Sequence, residues 1–478
     1  MNLFATKPIN RIIEESEGGT VALKRTLGPK SLVALGIGAI IGAGLFSLTG
    51  IAAAENAGPA VVLAFVVAAI ACAFAGMCYS ELASMIPVAG SAYTYSYATL
   101  GELWAWIIGW DLVLEYAVAA SLVAVSWSRY VKSFLADFGI TLPAQWTACP
   151  FDTITLADGS IGHGILNIPA MLIITLISIL LMVGIQESSR VNAVIVVIKV
   201  AVVVTFIAVG YYFINWQNYN PFIPPNTGTF GEFGISGIMR AAAVIFFAYI
   251  GFDAVSTAAQ EARRPQRDVP IGIIGSLAIC TVLYILFAFV LTGMVNYTAM
   301  KGDAAPVATA INLTPYPWLQ LLIKIGIIGG FTSVILVMLL GQSRVFFAMS
   351  RDGLLPKLFS ELHPKWQTPY KTNLIFLLAG ALMAGIFPIS KLGHMTSIGT
   401  LFAFLMVCLG VIVLRRTQPQ LPRPYRVPFV PIFPILGMLV CLAMMLSLGI
   451  ETWLRLGIWL AMGLVIYFIY SRHHSRLK

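Results

Sequence analysis

Charged residues are scarce in this chain. Asp, Glu, Lys and Arg together make up 10% of the 478 residues, whereas hydrophobic residues make up 59%. Soluble globular domains carry about 25% charged residues, so this composition excludes an ordinary soluble domain. It is typical of a polytopic membrane protein.

Sequence features typical of secreted proteins and of ATP-driven pumps are also missing. The polar first 30 residues contain no apolar core of a signal peptide, so we expect the first hydrophobic span to direct targeting. Of the six cysteines, five lie in apolar spans and Cys149 is alone in a polar loop, which predicts neither a disulfide framework nor a metal site. No glycine-rich phosphate loop is present, so ATP-driven pumping has no support.

What the chain has in abundance is long apolar runs. Twelve of them are long enough to cross a bilayer. They lie near residues 33–54, 60–86, 103–128, 165–185, 191–214, 236–258, 271–295, 318–348, 373–391, 396–414, 428–449 and 454–471. The net charge of +9 comes from basic residues scattered between these runs, most of them in every second connection. The positive-inside rule explains this pattern better than nucleic-acid binding, and it predicts that both termini are cytoplasmic.

The first apolar run contains four glycines within nine positions, from Gly36 to Gly44. Each glycine costs a helix about 1 kcal/mol relative to alanine. A helix broken within lipid is tolerated only where its freed backbone groups find other partners or line a cavity. The sequence therefore predicts a backbone-built binding site around residues 42–44. The alternative is that the glycines only permit close packing of helices.

The sixth run carries a second candidate break, Phe246 to Asp253, and it opens the second half of the chain. Interrupted helices at matching positions of two halves are typical of secondary transporters. Because five is odd, spans one to five and six to ten would have opposite orientations. We therefore divide the chain as a cytoplasmic segment, a first repeat, an inverted second repeat and two further helices with a short tail. These parts are 1–30, 31–214, 215–416 and 417–478.

Six stretches together carry a resemblance to a known family. They are Gly38 to Phe46 (GAIIGAGLF), Ser80 to Tyr93 (SELASMIPVAGSAY), Gly109 to Glu115 (GWDLVLE), Phe246 to Asp253 (FFAYIGFD), Ala348 to Pro356 (AMSRDGLLP) and Arg423 to Pro428 (RPYRVP). The chain resembles the amino acid–polyamine–organocation superfamily and, within it, the cationic amino acid transporter family. This resemblance implies an all-α polytopic membrane protein of LeuT-type 5+5 inverted-repeat fold, with twelve transmembrane helices of which the last two are peripheral.

The resemblance also implies how an amino acid would bind. Free N–H groups at residues 42–44 and the positive end of a half-helix would receive the carboxylate. Carbonyl groups of the two breaks would receive the ammonium group. Phe247 matches the aromatic residue that covers the substrate as a gate, although ordinary packing is its alternative. The predicted substrate-binding residues are Ile40, Gly42, Ala43, Gly44, Glu115, Phe246, Phe247, Ala248, Ile250, Asp253 and Met338.

Lys199 lies well inside the fifth apolar run, where an unpaired charge is costly. By the resemblance, its ammonium stands where sodium-coupled relatives bind sodium. Protonated, it would bridge carbonyls of span one to span eight, and deprotonated it would release them. We therefore expect a proton as the coupling ion, no sodium site, no metal and no other cofactor. The alternative is a lysine that only holds two carbonyls in place.

Three acids in the apolar runs bear on specificity. Asp111 and Glu115 are four residues apart on one helix face, and Asp253 follows the second break. Glu115 and Asp253 are candidates to meet a cationic substrate. The alternative is that they pair with Arg240, Lys199 or backbone donors.

Met338 matches the position of a small serine in vertebrate arginine-transporting members, so it would narrow the pocket towards short side chains. The acids point to cationic substrates and the methionine to short ones. Both substrate classes stay open.

These features predict a secondary transporter of small neutral or cationic L-amino acids, in a plasma membrane or bacterial inner membrane, that works by proton symport and alternating access. An amino acid exchanger or facilitator and, from another class, a non-transporting nutrient sensor are the alternatives. No enzyme constellation can be assembled. The expected partners are the substrate and membrane lipid, with no nucleic acid. A single-span accessory subunit would leave no trace in this sequence and stays open.

Overall fold

A computed structural model describes residues 3–17, 27–88, 90–155, 159–184, 189–303 and 305–477. Almost all regular structure in these residues is helical. In chain order the helices are α1 Ile9–Glu17, α2 Pro29–Ile40, α3 Gly44–Met85, α4 Ser91–Thr99, α5 Glu102–Asp137, α6 Ile168–Val183, α7 Ser189–Gly210, α8 Gly234–Ile245, α9 Ala254–Thr257, α10 Pro265–Met294, α11 Pro306–Asn312, α12 Pro317–Arg351, α13 Tyr370–Ile386, α14 Ile389–Thr417, α15 Ile432–Ser447 and α16 Ile450–His474.

The long helices have the composition and surface of membrane spans. Within the described residues, eight helices are long and apolar enough to cross a bilayer, and four shorter apolar helices accompany them. Large apolar side chains face outward at helical spacing, for example Leu172, Leu176 and Ile179 of α6. Such an outer surface suits lipid rather than water. The predicted polytopic, all-α membrane protein is confirmed in this form.

The first apolar run is broken where the glycines predicted it. Helix α2 ends at Ile40, and Ile41 is extended with φ −70° and ψ 107°. Helix α3 then begins at Gly44 with a π-helical turn that reaches Leu48. The run therefore consists of two half-helices. The second of them continues through a turn at Gly58 into the next apolar run, with no separate loop between the two.

The sixth apolar run is broken as well. Helix α8 gives way to one 3₁₀ turn over Phe246–Tyr249, after which Ile250 is extended. Gly251 has φ +119°, a backbone conformation that only glycine adopts without strain. A short helix, α9, follows. The sequence predicted the segment, and the structure places the break itself at Ile250 and Gly251.

Helix α10 packs along both α2 and α3. Glycines make the α2 contact close: a Cβ added at Gly36 would lie 2.4 Å from the Ser276 hydroxyl, and one at Gly272 would lie 2.8 Å from Leu32 Cβ. The alternative reading of the glycine-rich run as a packing surface thus holds for Gly36. It coexists with the break, which lies six residues further on.

The segment between α5 and α6 contains a small antiparallel hairpin of β1 Thr153–Thr155 and β2 Ile161–His163. An ion pair of 2.6 Å between Arg129 and Asp152 ties the hairpin to α5. A second ion pair, between Lys324 and Asp137, also 2.6 Å, joins α12 to the end of α5.

Tryptophans attach the last helix to the rest of the molecule. Trp459 of α16 stacks on Trp110 of α5 with ring centroids 4.6 Å apart. The Trp106 indole N–H donates to the carbonyl of Gly463 at 2.9 Å. Glu81 of α3 accepts from Arg415 of α14 at 2.9 Å.

Candidate substrate-binding site

The two breaks face each other at the centre of the helix bundle. A Cβ added at Gly44 would lie 2.2 Å from the Ala248 Cα, and one at Gly251 would lie 2.7 Å from the carbonyl of Ala39. No side chain larger than hydrogen fits at either position without moving backbone. The glycines therefore bring two unwound backbones into direct contact.

The break in the first run leaves donors without partners. The N–H groups of Gly42 and Ala43 donate to no acceptor among the described residues, while the Gly42 carbonyl accepts from Leu45 and Phe46 at 3.1 and 3.2 Å. These N–H groups stand at the amino end of α3, where the helix dipole adds positive potential. Such an arrangement favours an anionic group.

The carbonyls of the two breaks share one side-chain donor. The hydroxyl of Tyr284, on α10, lies 2.9 Å from the carbonyl oxygen of Ile40 and 3.0 Å from that of Ala248. Tyr284 is fully buried. Sequence reasoning missed this residue. The only available signal was a tyrosine in an otherwise apolar run, since a buried tyrosine hydroxyl usually finds a partner.

Lys199 reaches the first half-helix from α7. Its side chain is 1% exposed, and its ammonium nitrogen donates to the carbonyl of Gly38 at 2.6 Å. The stem lies against α12, because a Cβ added at Gly330 would be 3.0 Å from the Lys199 Cε. Lys199 thus contacts both span one and span eight, the two spans that the sequence predicted.

Three carboxylates are buried near the breaks. Asp253 accepts hydrogen bonds from the Tyr116 hydroxyl at 2.6 Å and the Ser91 hydroxyl at 3.2 Å. Glu115 and Asp111 are each 1% exposed, and their oxygens have no hydrogen-bond partner in the described part of the chain. Asp111 and Glu115 lie four residues apart on α5, and Tyr116, which follows Glu115, is the residue that donates to Asp253. The structure therefore brings the three acids into one region.

A local irregularity accompanies this cluster. Glu115 lies in a π-helical turn, Leu114–Val118, inside α5. Such turns are frequent at functional sites because they reorient a side chain on a helix.

Arg240, one of the alternative partners suggested for the acids, donates instead to the carbonyl of Ser447 at 2.9 Å. Asp253 accepts from two hydroxyl groups.

Apolar side chains complete the surroundings. Phe246, Phe247 and Ile250 are all buried beside the second break, and Phe246 packs on Phe404 at 5.3 Å between ring centroids. On α12, Val334 lies against Gly42, at 3.3 Å from an added Cβ. Met338, one turn further on the same face, is 2% exposed. The α12 side of the breaks is therefore lined by apolar side chains.

The structure offers no evident metal centre. Among the residues that it describes, no group of three or more His, Cys, Asp or Glu side chains could hold a metal ion.

A bundle of apolar helices with two unwound segments in mutual contact defines the class first: a multi-pass membrane protein. The sequence comparison defines the family. The family model described as amino acid permease matches residues 27–469. The chain belongs to the amino acid permease family. The resemblance to the amino acid–polyamine–organocation superfamily is thereby confirmed.

Individual relatives agree with this assignment. The branched-chain amino acid permease BcaP of Bacillus subtilis (strain 168) is 47% identical over 480 residues, covering 100% of this chain and 99% of the relative. The methylthioribose transporter of the same organism is 44% identical over 478 residues, with the same coverage. The vacuolar cationic amino acid transporter 4 of Arabidopsis thaliana is 38% identical, covering 88% of this chain and 68% of the relative. These relatives are transporters and not enzymes.

Proposed function

We propose that this permease is a secondary active transporter that carries small neutral or cationic L-amino acids by proton symport and alternating access. The observation that carries the proposal is the direct contact of the two breaks, with Gly44 against Ala248. One break offers N–H donors and both offer carbonyl acceptors. An α-amino acid has the complementary pair of groups on one carbon.

The backbone would hold the two charged groups common to all amino acids. Unpaired N–H groups at Gly42 and Ala43, with Gly44 beside them, would receive the carboxylate. Ammonium N–H groups would donate to carbonyls. The carbonyl candidates are those of Ile40, Phe246, Phe247, Ala248 and Ile250. Phe247, buried beside the break, would cover the bound substrate as a gate.

The side-chain pocket supports small to medium neutral substrates more than long cationic ones. Met338 lies buried on the α12 side, and Asp253 accepts both hydroxyl hydrogen bonds through Oδ2 alone. A cationic side chain would interact with Glu115 or with the other oxygen of Asp253. The relative named for branched-chain amino acids supports the neutral choice.

A second candidate substrate comes from the comparisons. The methylthioribose transporter is nearly as similar to this chain as the branched-chain permease is. A neutral thioether sugar has no carboxylate for the N–H groups of Gly42 and Ala43, so the backbone geometry favours the amino acid. Competition by methylthioribose in the uptake assay below tests this choice.

For coupling, we propose that the Lys199 ammonium binds the Gly38 carbonyl when protonated and frees it when deprotonated. A proton would then change how tightly the first half-helix is held against α12. No sodium, metal or other cofactor is required by this scheme. An exchanger or facilitator would keep Lys199 as a permanent bridge.

The topology proposed is twelve transmembrane helices in two inverted five-helix repeats, 31–214 and 215–416, followed by 417–478. The count starts from the eight long and four shorter apolar helices. Dividing α3 at Gly58 adds one span, and joining α2 to the first part of α3 removes one, which leaves twelve. The backbone N–H of Arg476 donates to the carbonyl of Asp352, whose carboxylate also pairs with Lys7. Both ends of the described chain thus lie on one side, which supports an even number of crossings.

Charge distribution supports a cytoplasmic location for that side. The proposed membrane is the plasma membrane or a bacterial inner membrane. The proposed partners are the amino acid substrate and lipid, with no nucleic acid, and an accessory subunit stays open. Of the segment 1–30, residues 1, 2 and 18–26 lie outside the described residues.

The test uses purified protein in liposomes with an imposed proton gradient, alkaline inside. Labelled alanine, leucine and arginine are offered separately, and unlabelled competitors follow. Concentrative alanine or leucine uptake that a protonophore collapses is the expected result. Uptake only into liposomes preloaded with amino acid would identify an exchanger. Ligand-induced thermal stabilisation without any transport would favour the sensor.

A further inference from the structure

Four segments far apart in sequence line a cavity at the end of the molecule that carries both ends of the described chain. The cavity has a volume of about 200 Å³. Its lining residues are Lys7, Arg11, Tyr97, Arg351, Asp352, Arg476 and Leu477. Four basic side chains therefore face one carboxylate. The transport site at the helix breaks uses none of them.

The one carboxylate is already engaged. Asp352 accepts from the Lys7 ammonium at 2.7 Å and from the Tyr93 hydroxyl at 2.6 Å. Arg351 and Arg476, in contrast, form no ion pair with any carboxylate in the described residues. Among the described residues, two guanidinium groups thus line a shared cavity without an ion-pair partner. The excess of basic over acidic side chains gives the cavity a positive potential, which favours a bound anion.

The cavity is built by backbone contacts rather than by loose tails. The N–H of Arg476 donates to the Asp352 carbonyl at 3.1 Å, and the hydroxyl of Ser471 donates to the carbonyl of Leu354 at 2.6 Å. Gly353 adopts φ +83° directly under the carbonyl of His474. On the other wall, the N–H of Lys7 donates to the carbonyl of Tyr97. The backbone that carries Arg351 and Arg476 is therefore held in place, while both side chains are exposed.

We propose that this cavity binds a phosphate-bearing anion. Planar guanidinium groups match phosphate oxygens through paired hydrogen bonds. The phosphate could belong to an anionic phospholipid headgroup or to a soluble phosphate compound. Basic pockets beside transmembrane helices are suited to lipid headgroups. Bound anion would join the amino-terminal segment, the end of α12 and the carboxyl tail.

The test measures the thermal unfolding midpoint of the full chain in nanodiscs of neutral phosphatidylcholine, titrated with inorganic pyrophosphate at constant ionic strength. We expect a saturable rise for the wild type. Replacing both arginines, Arg351→Gln with Arg476→Gln, should raise the apparent dissociation constant for pyrophosphate by about tenfold or more, because charge-assisted hydrogen bonds are lost. The matched control is Arg416→Gln with Arg426→Gln, two exposed arginines outside the cavity, and it should stay within about twofold of wild type.

A second arm distinguishes the source of the phosphate. If the headgroup is the occupant, phosphatidylglycerol nanodiscs raise the wild-type midpoint and pyrophosphate adds nothing further. If a soluble compound is the occupant, phosphatidylglycerol changes nothing and the pyrophosphate shift persists. Nanodiscs expose both faces, so neither arm depends on orientation or on transport.

Two results would overturn the proposal. One is equal pyrophosphate affinity in the wild type, the cavity variant and the control. The other is that neither pyrophosphate nor phosphatidylglycerol moves the wild-type midpoint beyond the effect of chloride. Should the glutamine variant fail to fold, Arg351→Lys with Arg476→Lys keeps the charge and removes the planar donors. A lysine variant with undiminished affinity would also contradict the proposal.

Discussion

A single ammonium group connects two spans at the centre of this permease. Lys199 donates to the Gly38 carbonyl, and its stem rests on Gly330. A methyl group at Gly330 would approach that stem to 3.0 Å. The position of the charge is thus determined by α12 as well as by α2.

Replacement of the charge tests the coupling role. We expect Lys199→Gln to abolish accumulation driven by the proton gradient while amino acid exchange continues, because a neutral amide cannot gain or lose the proton. Uptake into liposomes with and without the gradient is the measurement. Lys324→Gln is the control, a buried lysine paired with Asp137 whose loss should lower stability and leave the gradient response intact. Undiminished accumulation by Lys199→Gln would assign the lysine a purely structural role.

Met338 determines the size of the pocket in our proposal. Met338→Ser should improve competition by arginine against labelled alanine by about tenfold, since removal of a thioether chain opens apolar volume. The matched control is Met349→Ser on the same helix, where the thioether lies against Gly109 instead. Both variants should lose stability, by about 2–5 kcal/mol for a buried methionine. If both variants change the competition profile equally, Met338 does not line the substrate pocket.

At the scale of elements, the two interrupted helices depend on glycine at their contact. Gly44→Ala places a methyl group 2.2 Å from the Ala248 Cα, so the breaks must separate. We expect transport to fall by at least about a hundredfold, because a displacement of about 1 Å in a positioned site has that effect. Initial uptake rates per folded protein are the measurement.

The control for this change is another glycine-to-alanine substitution in a helix. Gly457 of α16 has open space at the added methyl position. Gly457→Ala should transport normally and gain stability, as alanine favours a helix by about 1 kcal/mol over glycine. Normal transport by Gly44→Ala would show that the breaks tolerate separation and would contradict the proposed site.

The elements also show what the sequence could predict. Glycine content and apolar length are local, so the breaks, the apolar spans and the unusual place of Lys199 could be found without a structure. The partners of Asp253 could not, because Tyr116 lies 137 positions away and nothing in its own run distinguishes it. The role of Tyr284 could not be predicted for the same reason, since the carbonyl groups that it contacts belong to two other segments. Contacts between helices across the bundle depend on how the helices pack, so they cannot be predicted from a short-range sequence pattern.

At the scale of the whole molecule, the last helix is attached by tryptophans, and we propose that it takes no part in substrate binding. Trp459→Ala should lower the free energy of unfolding by about 1–3 kcal/mol, because a half-buried stacked indole is lost. The Michaelis constant for alanine should remain unchanged. Thermal unfolding and uptake kinetics on the same preparation are the measurements.

Ile458→Ala provides the comparison for the tryptophan. Ile458 is adjacent in sequence and 62% exposed on the outer surface, so its truncation should change stability little. A large rise in the Michaelis constant for Trp459→Ala, without loss of stability, would connect α16 to substrate binding and contradict its peripheral role.

The hydroxyl of Tyr284 carries a single hydrogen and has two carbonyl oxygens within reach, 2.9 and 3.0 Å away. It can donate fully to only one of them at a time, so the pair of carbonyls has more acceptor capacity than its resident donor can fill. An ammonium group brings three N–H donors, and Tyr284 can rotate towards whichever carbonyl the ammonium leaves. The carbonyl groups at the meeting point of the two breaks therefore suit a ligand rich in donors, while the unpaired N–H groups of Gly42 and Ala43 beside them suit its acceptors.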